Sequence, residues 1–105
     1  MNLCILSGRI VNHATVRGSE PKALSFVVAT HNGSNGSAKQ DLVSCVLFNP
    51  SPELEQQLSQ RGAGLFVELE GRVSSSSLKT NGEKRYNSDV IVRHWTLSVV
   101  NSHRA

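Results

Sequence analysis

GLFVELEGRVSSSSLKTNGEKRYNSDVIV, residues 64–92, reads as one long β-hairpin. An alternating run, Gly64–Val73, leads through a serine-rich stretch and Thr80-Asn81-Gly82-Glu83 into Lys84–Val92. The return gathers Lys79, Lys84, Arg85 and Tyr86. A projecting ribbon with several cations and an aromatic ring suits an extended polyanion better than a small substrate. Single-stranded nucleic acid is the ligand this pattern points to.

Around that hairpin, 105 residues leave room for one domain, 1–105, with one core. The formal net charge is +3, and its distribution says more than its size. Residues 1–22 carry Arg9, Arg17 and Lys22 against Glu20, a net of +2. Residues 72–85 carry Arg72, Lys79, Lys84 and Arg85 against Glu83, a net of +3. Residues 53–70 run the other way, with Glu53, Glu55, Glu68 and Glu70 against Arg61. Positive charge is segregated along the chain, as a binding stripe requires, although a solvated face would look the same. Asn2–Leu6 is too short for the apolar region of a secretory signal, and no apolar stretch approaches the ~20 residues of a membrane span. The expectation is a soluble intracellular protein with Cys4 and Cys45 as buried free thiols.

The hydrophobic period is 2 almost everywhere. Leu3–Val11 forms a first strand, with Gly8 permitting a bulge or bend, and Ala14–Arg17 a short continuation. Lys22–His31 is a second strand with Leu24, Phe26 and Val28 on one face, followed by a polar, glycine-containing loop over residues 31–38. Asp41–Phe48 is the third, with Val43, Cys45 and Leu47 facing the core and Leu42, Ser44, Val46 and Phe48 opposite. The period then changes. Ser51 caps a helix, Pro52 fits its first position, Leu54 and Leu58 share a stripe, and Arg61-Gly62 predicts a left-handed stop. Two hairpin strands follow, and Trp95–Val100 is extended again. This order predicts an all-β, OB-fold five-stranded Greek-key barrel with one short helix between strands 3 and 4.

LCILSGRIV near the start, ALSFVVAT, VLF and VELEGRV with a hairpin closing on KRY resemble the bacterial single-stranded DNA-binding (SSB) proteins, from residue 2 to about residue 92. Primosomal replication protein N (PriB) shares that fold and approximate length. The resemblance implies non-catalytic binding of single-stranded DNA in replication, recombination or repair, by phosphate contacts and base stacking. It implies a homo-dimer or homo-tetramer in the bacterial cytosol or on the nucleoid, with replication or repair proteins as further partners. A PriB-like primosome adaptor, with DNA as secondary ligand, is the alternative. Two departures stand out. Leu42 and Leu78 occupy places where the family stacks bases on tryptophan, and the chain ends VVNSHRA without the family's acidic tail. That recruiting function is expected to be absent, to reside elsewhere, or to have been cut away.

Phe48 matches a family stacking aromatic and Tyr86 falls where the family has an aromatic ring. Arg9, Arg17, Arg72, Lys79, Lys84 and Arg85 are the candidate phosphate contacts. Each has a bland reading beside it: a rim aromatic for Phe48, a cross-strand pair for Tyr86, a solvated cation for each of the others. Trp95 reads as a core or subunit-contact residue. No cofactor, metal or catalytic group is expected. His13, His31, His94 and His103 follow no ligand spacing, Cys4 and Cys45 are no Cys-x-x-Cys pair, and Glu68 with Glu70 reads as a structural exterior.

Overall fold

Among the described residues, alternation of apolar and polar residues builds six strands, and the one break in that period builds a helix. The order is β1 (Cys4–Ile10), β2 (Thr15–Arg17), β3 (Ala23–His31), β4 (Gln40–Phe48), α1 (Pro52–Arg61), β5 (Phe66–Thr80) and β6 (Glu83–Ser98). The computed structural model describes residues 1–31 and 40–98, with the side chains of residues 31, 76–80, 84–86 and 98 outside the description. The predicted loop beyond His31 and the end of the predicted Trp95–Val100 strand fall outside the described residues.

The strands hydrogen-bond in the order β1-β5-β6-β4-β3-β2, and β1 also pairs with β3. That last pairing closes β1, β3, β4, β5 and β6 into a five-stranded barrel, with β2 as a short flap on β3. One seam is parallel: β4 meets β6 through Cys45↔Val90 and Val46↔Ile91. Inside lie Ile10, Leu24, Phe26, Val28, Cys45, Leu47, Val67, Leu69, Val90 and Val92. Leu54 and Leu58 of α1 plug one end, where Ala14 N–H donates to the Leu58 carbonyl at 2.9 Å. Among the described residues no helix is long and apolar enough to cross a membrane.

Two glycines make the closure sterically possible. A Cβ on Gly8 would stand 2.2 Å from the Ala29 carbonyl oxygen, where β1 crosses from β5 to β3. Gly8 therefore serves close approach; the register with β5 runs unbroken through it, from Cys4↔Gly71 to Arg9↔Phe66. The bulge lies instead opposite Glu70 and Gly71, where β6 carries the extra residue Arg93 between Val92 and His94. A Cβ on Gly71 would meet the Ile91 carbonyl oxygen at 2.1 Å.

Ser51 caps α1 as expected, its Oγ accepting from Leu54 N–H at 3.2 Å. The helix end differs from expectation. Gly62 stays right-handed (φ −64°) and is needed for space, since a Cβ there would meet the Leu58 carbonyl oxygen at 2.3 Å. The left-handed residue is Gly64 (φ 97°). The hairpin turn is Asn81-Gly82, both at positive φ (52° and 79°), the geometry that matches the twist of the flanking strands. The serine-rich stretch and the Trp95 segment are continuous with β5 and β6 rather than separate. Those two strands make one ribbon of 15 and 16 residues, and its projection gives a radius of gyration of 15.0 Å, against ~13 Å for a compact chain of this length.

Candidate nucleic-acid interface

Strand pairing decides which side chains lie side by side on the outer surface, because cross-strand partners share a face. Four rows follow on the outward side of β3 and β4. Arg17 pairs with Ala23, which pairs with Phe48. Thr15, Ser25, Val46, Ile91 and Arg72 form the next row, running from β2 across to β5. Val27 pairs with Ser44 in a third. In the fourth, Phe66, Arg9, Ala29 and Leu42 follow one another. Rows two residues apart on a strand are ~7 Å apart and neighbouring strands ~4.8 Å apart. The surface from Leu42 to Phe48 thus extends ~20 Å along β4.

The alternation that puts Leu24, Phe26, Val28, Cys45 and Leu47 inside forces this outer set to be what it is. Phe48 is 44% exposed and Leu42 67% exposed; Val27, Val46 and Ile91 are half-buried. Arg9, Arg17 and Arg72 are exposed. The result is an apolar floor with guanidinium groups at its margins. One acidic group interrupts it: Asp89, half-buried, is paired with Ser74. Beneath the floor, burial raises the Cys45 thiol to about 12, with Cys4 and Asp89 adding to the effect. Cys45 is buried and free, while Cys4 is free and half-buried at the start of β1.

Of the residues expected from sequence, Phe48, Arg9, Arg17 and Arg72 come together on this one face. Lys79, Lys84, Arg85 and Tyr86 lie on the ribbon, where the register sets Lys79 opposite Lys84, Leu78 opposite Arg85 and Ser77 opposite Tyr86. Their side chains lie outside the described residues. Phe66, Val27 and Ile91 were not expected. Phe66 was legible as an aromatic next to Val67 in an alternating run. Ile91 was not, because Val90-Ile91-Val92 is apolar on both faces.

A second outward face has other chemistry. Ile5, Glu70 and His94 form one row, and Ser7, Glu68 and Thr96 the next. Ile5 is 71% exposed. Together with Leu6, Leu69 and Trp95 these residues line a shallow groove. Trp95 departs from a core assignment. It pairs with buried Leu69 on the inward side, yet it is 42% exposed and lines the groove.

A family model described as the single-strand binding protein family matches residues 1–98. Comparison with curated proteins finds no match. Among solved structures, the fold resembles the mitochondrial single-stranded DNA binding protein Rim1 of S. cerevisiae, with a TM-score of 0.70 and 18% identity over 90% of this chain and 92% of that one. It also resembles the Plasmodium falciparum SSB in complex with ssDNA, with a TM-score of 0.73 and 17% identity over 96% of each chain.

Proposed function

This chain belongs to the single-strand binding protein family, and from that membership we propose that it holds single-stranded DNA, without catalysis, during replication, recombination or repair. The observation that carries the reading is the meeting of Phe48, Arg17, Arg72 and Arg9 on one outward face. A ring offers a base its π-face, and guanidinium groups take phosphates from either side. Neither reads a base edge through hydrogen bonds, so sequence preference through hydrogen bonding is slight. Lys79, Lys84, Arg85 and Tyr86 extend the track along the ribbon.

The protein works as a homo-dimer or homo-tetramer in the bacterial cytosol or on the nucleoid. Supporting assembly, among the described residues β1 has an unpaired edge before Arg9, with Leu3 (53%) and Ile5 (71%) exposed beside it. Assembly multiplies the track, so several modest contacts act as one site. Titration with oligo-dT of rising length at several salt concentrations tests the reading. Affinity should rise with length and fall with salt by ~0.7 in log K per log unit for each phosphate contacted. Salt-insensitive binding, or none, rejects it.

A PriB-like adaptor is the second reading, and the groove lined by Ile5, Glu68, Glu70 and Trp95 favours it. Apolar and acidic groups there suit a protein and repel a polyanion. DNA binding that requires a replication or repair protein would make this the primary role. Solution mass, measured with and without DNA, fixes how many tracks one strand can cross.

A further inference from the structure

The floor of the proposed DNA face is aliphatic in its middle and at one end. Leu42 is the most exposed apolar side chain of β4, at 67%, and it is two strands from Arg9 in the same row. Val46 and Ile91 are direct partners across the parallel seam, with Arg72 next to Ile91. A flat ring stacks on any base because every base has a π-face. Branched aliphatic side chains do not offer a plane. They offer methyl groups, and these gain most against a ligand edge that is itself apolar. Thymine is the base whose edge carries such a group, the C5-methyl.

We propose, resting on the DNA reading above, that Leu42 with Val46 and Ile91 receives thymine C5-methyl groups and makes this surface prefer thymine over uracil. Leu42 is the specificity-determining residue, while Arg9 and Arg72 hold the flanking phosphates whatever the base. The surface therefore separates DNA from RNA through the base rather than through the 2′-hydroxyl. Covering one methyl multiplies affinity roughly fourfold, so two covered methyls separate the ligands by about fifteenfold.

The experiment crosses the two chemical differences between DNA and RNA. The full chain is titrated with oligomers of equal length made of deoxythymidine, deoxyuridine, ribothymidine and uridine. The methylated member of each pair should bind about fifteenfold tighter, with little effect of the sugar. Leu42→Ala should shrink the ratio of deoxythymidine to deoxyuridine affinity to roughly fourfold or less. Leu42→Trp should tighten binding to all four oligomers and narrow the ratio. Since Leu42 is exposed, both variants should keep the native far-ultraviolet circular dichroism. Equal affinity for deoxythymidine and deoxyuridine overturns the methyl contact and leaves the DNA reading standing. A ratio unchanged in Leu42→Ala overturns the role of Leu42. Failure to bind any of the four overturns both readings together.

Discussion

The face of β3, β4 and β6 presents Leu42, Val46, Ile91 and Phe48 with Arg9, Arg17 and Arg72 around them, whereas the face of β1, β5 and the distal end of β6 presents Ile5 among Glu68, Glu70 and His94, with half-exposed Trp95 in the groove beside them. Both are outward surfaces of one barrel, and both expose large apolar groups. Their charges are opposite. Glu70 and Arg72 stand two residues apart on β5, ~7 Å along the strand and within the ~8 Å Debye length at physiological salt, so the opposite charges meet at that border and a polyanion feels one sign alone only away from it. Exposed apolar surface alone therefore does not mark a nucleic-acid site. The sign of the charge at its rim decides what it can accept.

The largest effect should come from removing what the two faces share. Gly8→Ala places a carbon against the Ala29 carbonyl oxygen at the crossing of β1, so both faces lose their scaffold. Urea denaturation should show a loss of about 3 kcal/mol, the upper end for overpacking against backbone. A near-native midpoint would show that β1 can shift, and that the two faces are not rigidly joined.

Charge tests the contrast itself. Replacing Arg9, Arg17 and Arg72 together by alanine should flatten the slope of log K against log salt by about 2. Glu68→Gln with Glu70→Gln should leave that slope where it was. Equal changes in both variants would break the distinction between the faces. Rings come next. Phe48→Ala should cost ~1–3 kcal/mol of oligo-dT binding, read by fluorescence anisotropy. Trp95→Ala should leave DNA binding nearly unchanged and alter the solution mass instead.

The last effect lies beneath the surface and shows only at alkaline pH. Burial raises the Cys45 thiol from 9.0 to about 12, so this group holds its proton longer in the folded state than in the unfolded one. The folded protein is thus favoured fully below pH 9, and this advantage falls as pH rises from 9 toward 12. Alkylation at mild pH should label half-buried Cys4 before Cys45. Cys45 labelled first would mean that the floor above it opens readily.

Most of the barrel was legible because alternation has only two outcomes, in or out. Leu24, Phe26 and Val28 went in, Leu42 and Phe48 went out, and Ser51-Pro52 announced the helix. Three things were hidden for physical reasons. Val90-Ile91-Val92 has no polar member to set its face, so the seam residue Ile91 could not be assigned. Gly62 and Gly64 look alike in sequence, but the first answers to crowding by Leu58 and the second to a positive φ. Trp95 looked separate from the hairpin because the bulge opposite Glu70 and Gly71 is a property of pairing rather than of composition. The cation and ring constellation was legible as a list. Its arrangement in rows depended on the closure of β1 onto β3.

Among the described residues, the parallel contact between β4 and β6 consists of Cys45↔Val90 and Val46↔Ile91, as short a joint as the β1–β3 closure. Val46 and Ile91 also form the middle of the floor. Cargo lying across them would suture the wall from outside, so the container should stiffen as it fills. Amide protons of Cys45 and Val46 would then exchange with solvent more slowly in the loaded state, and melting would rise with the length of strand carried.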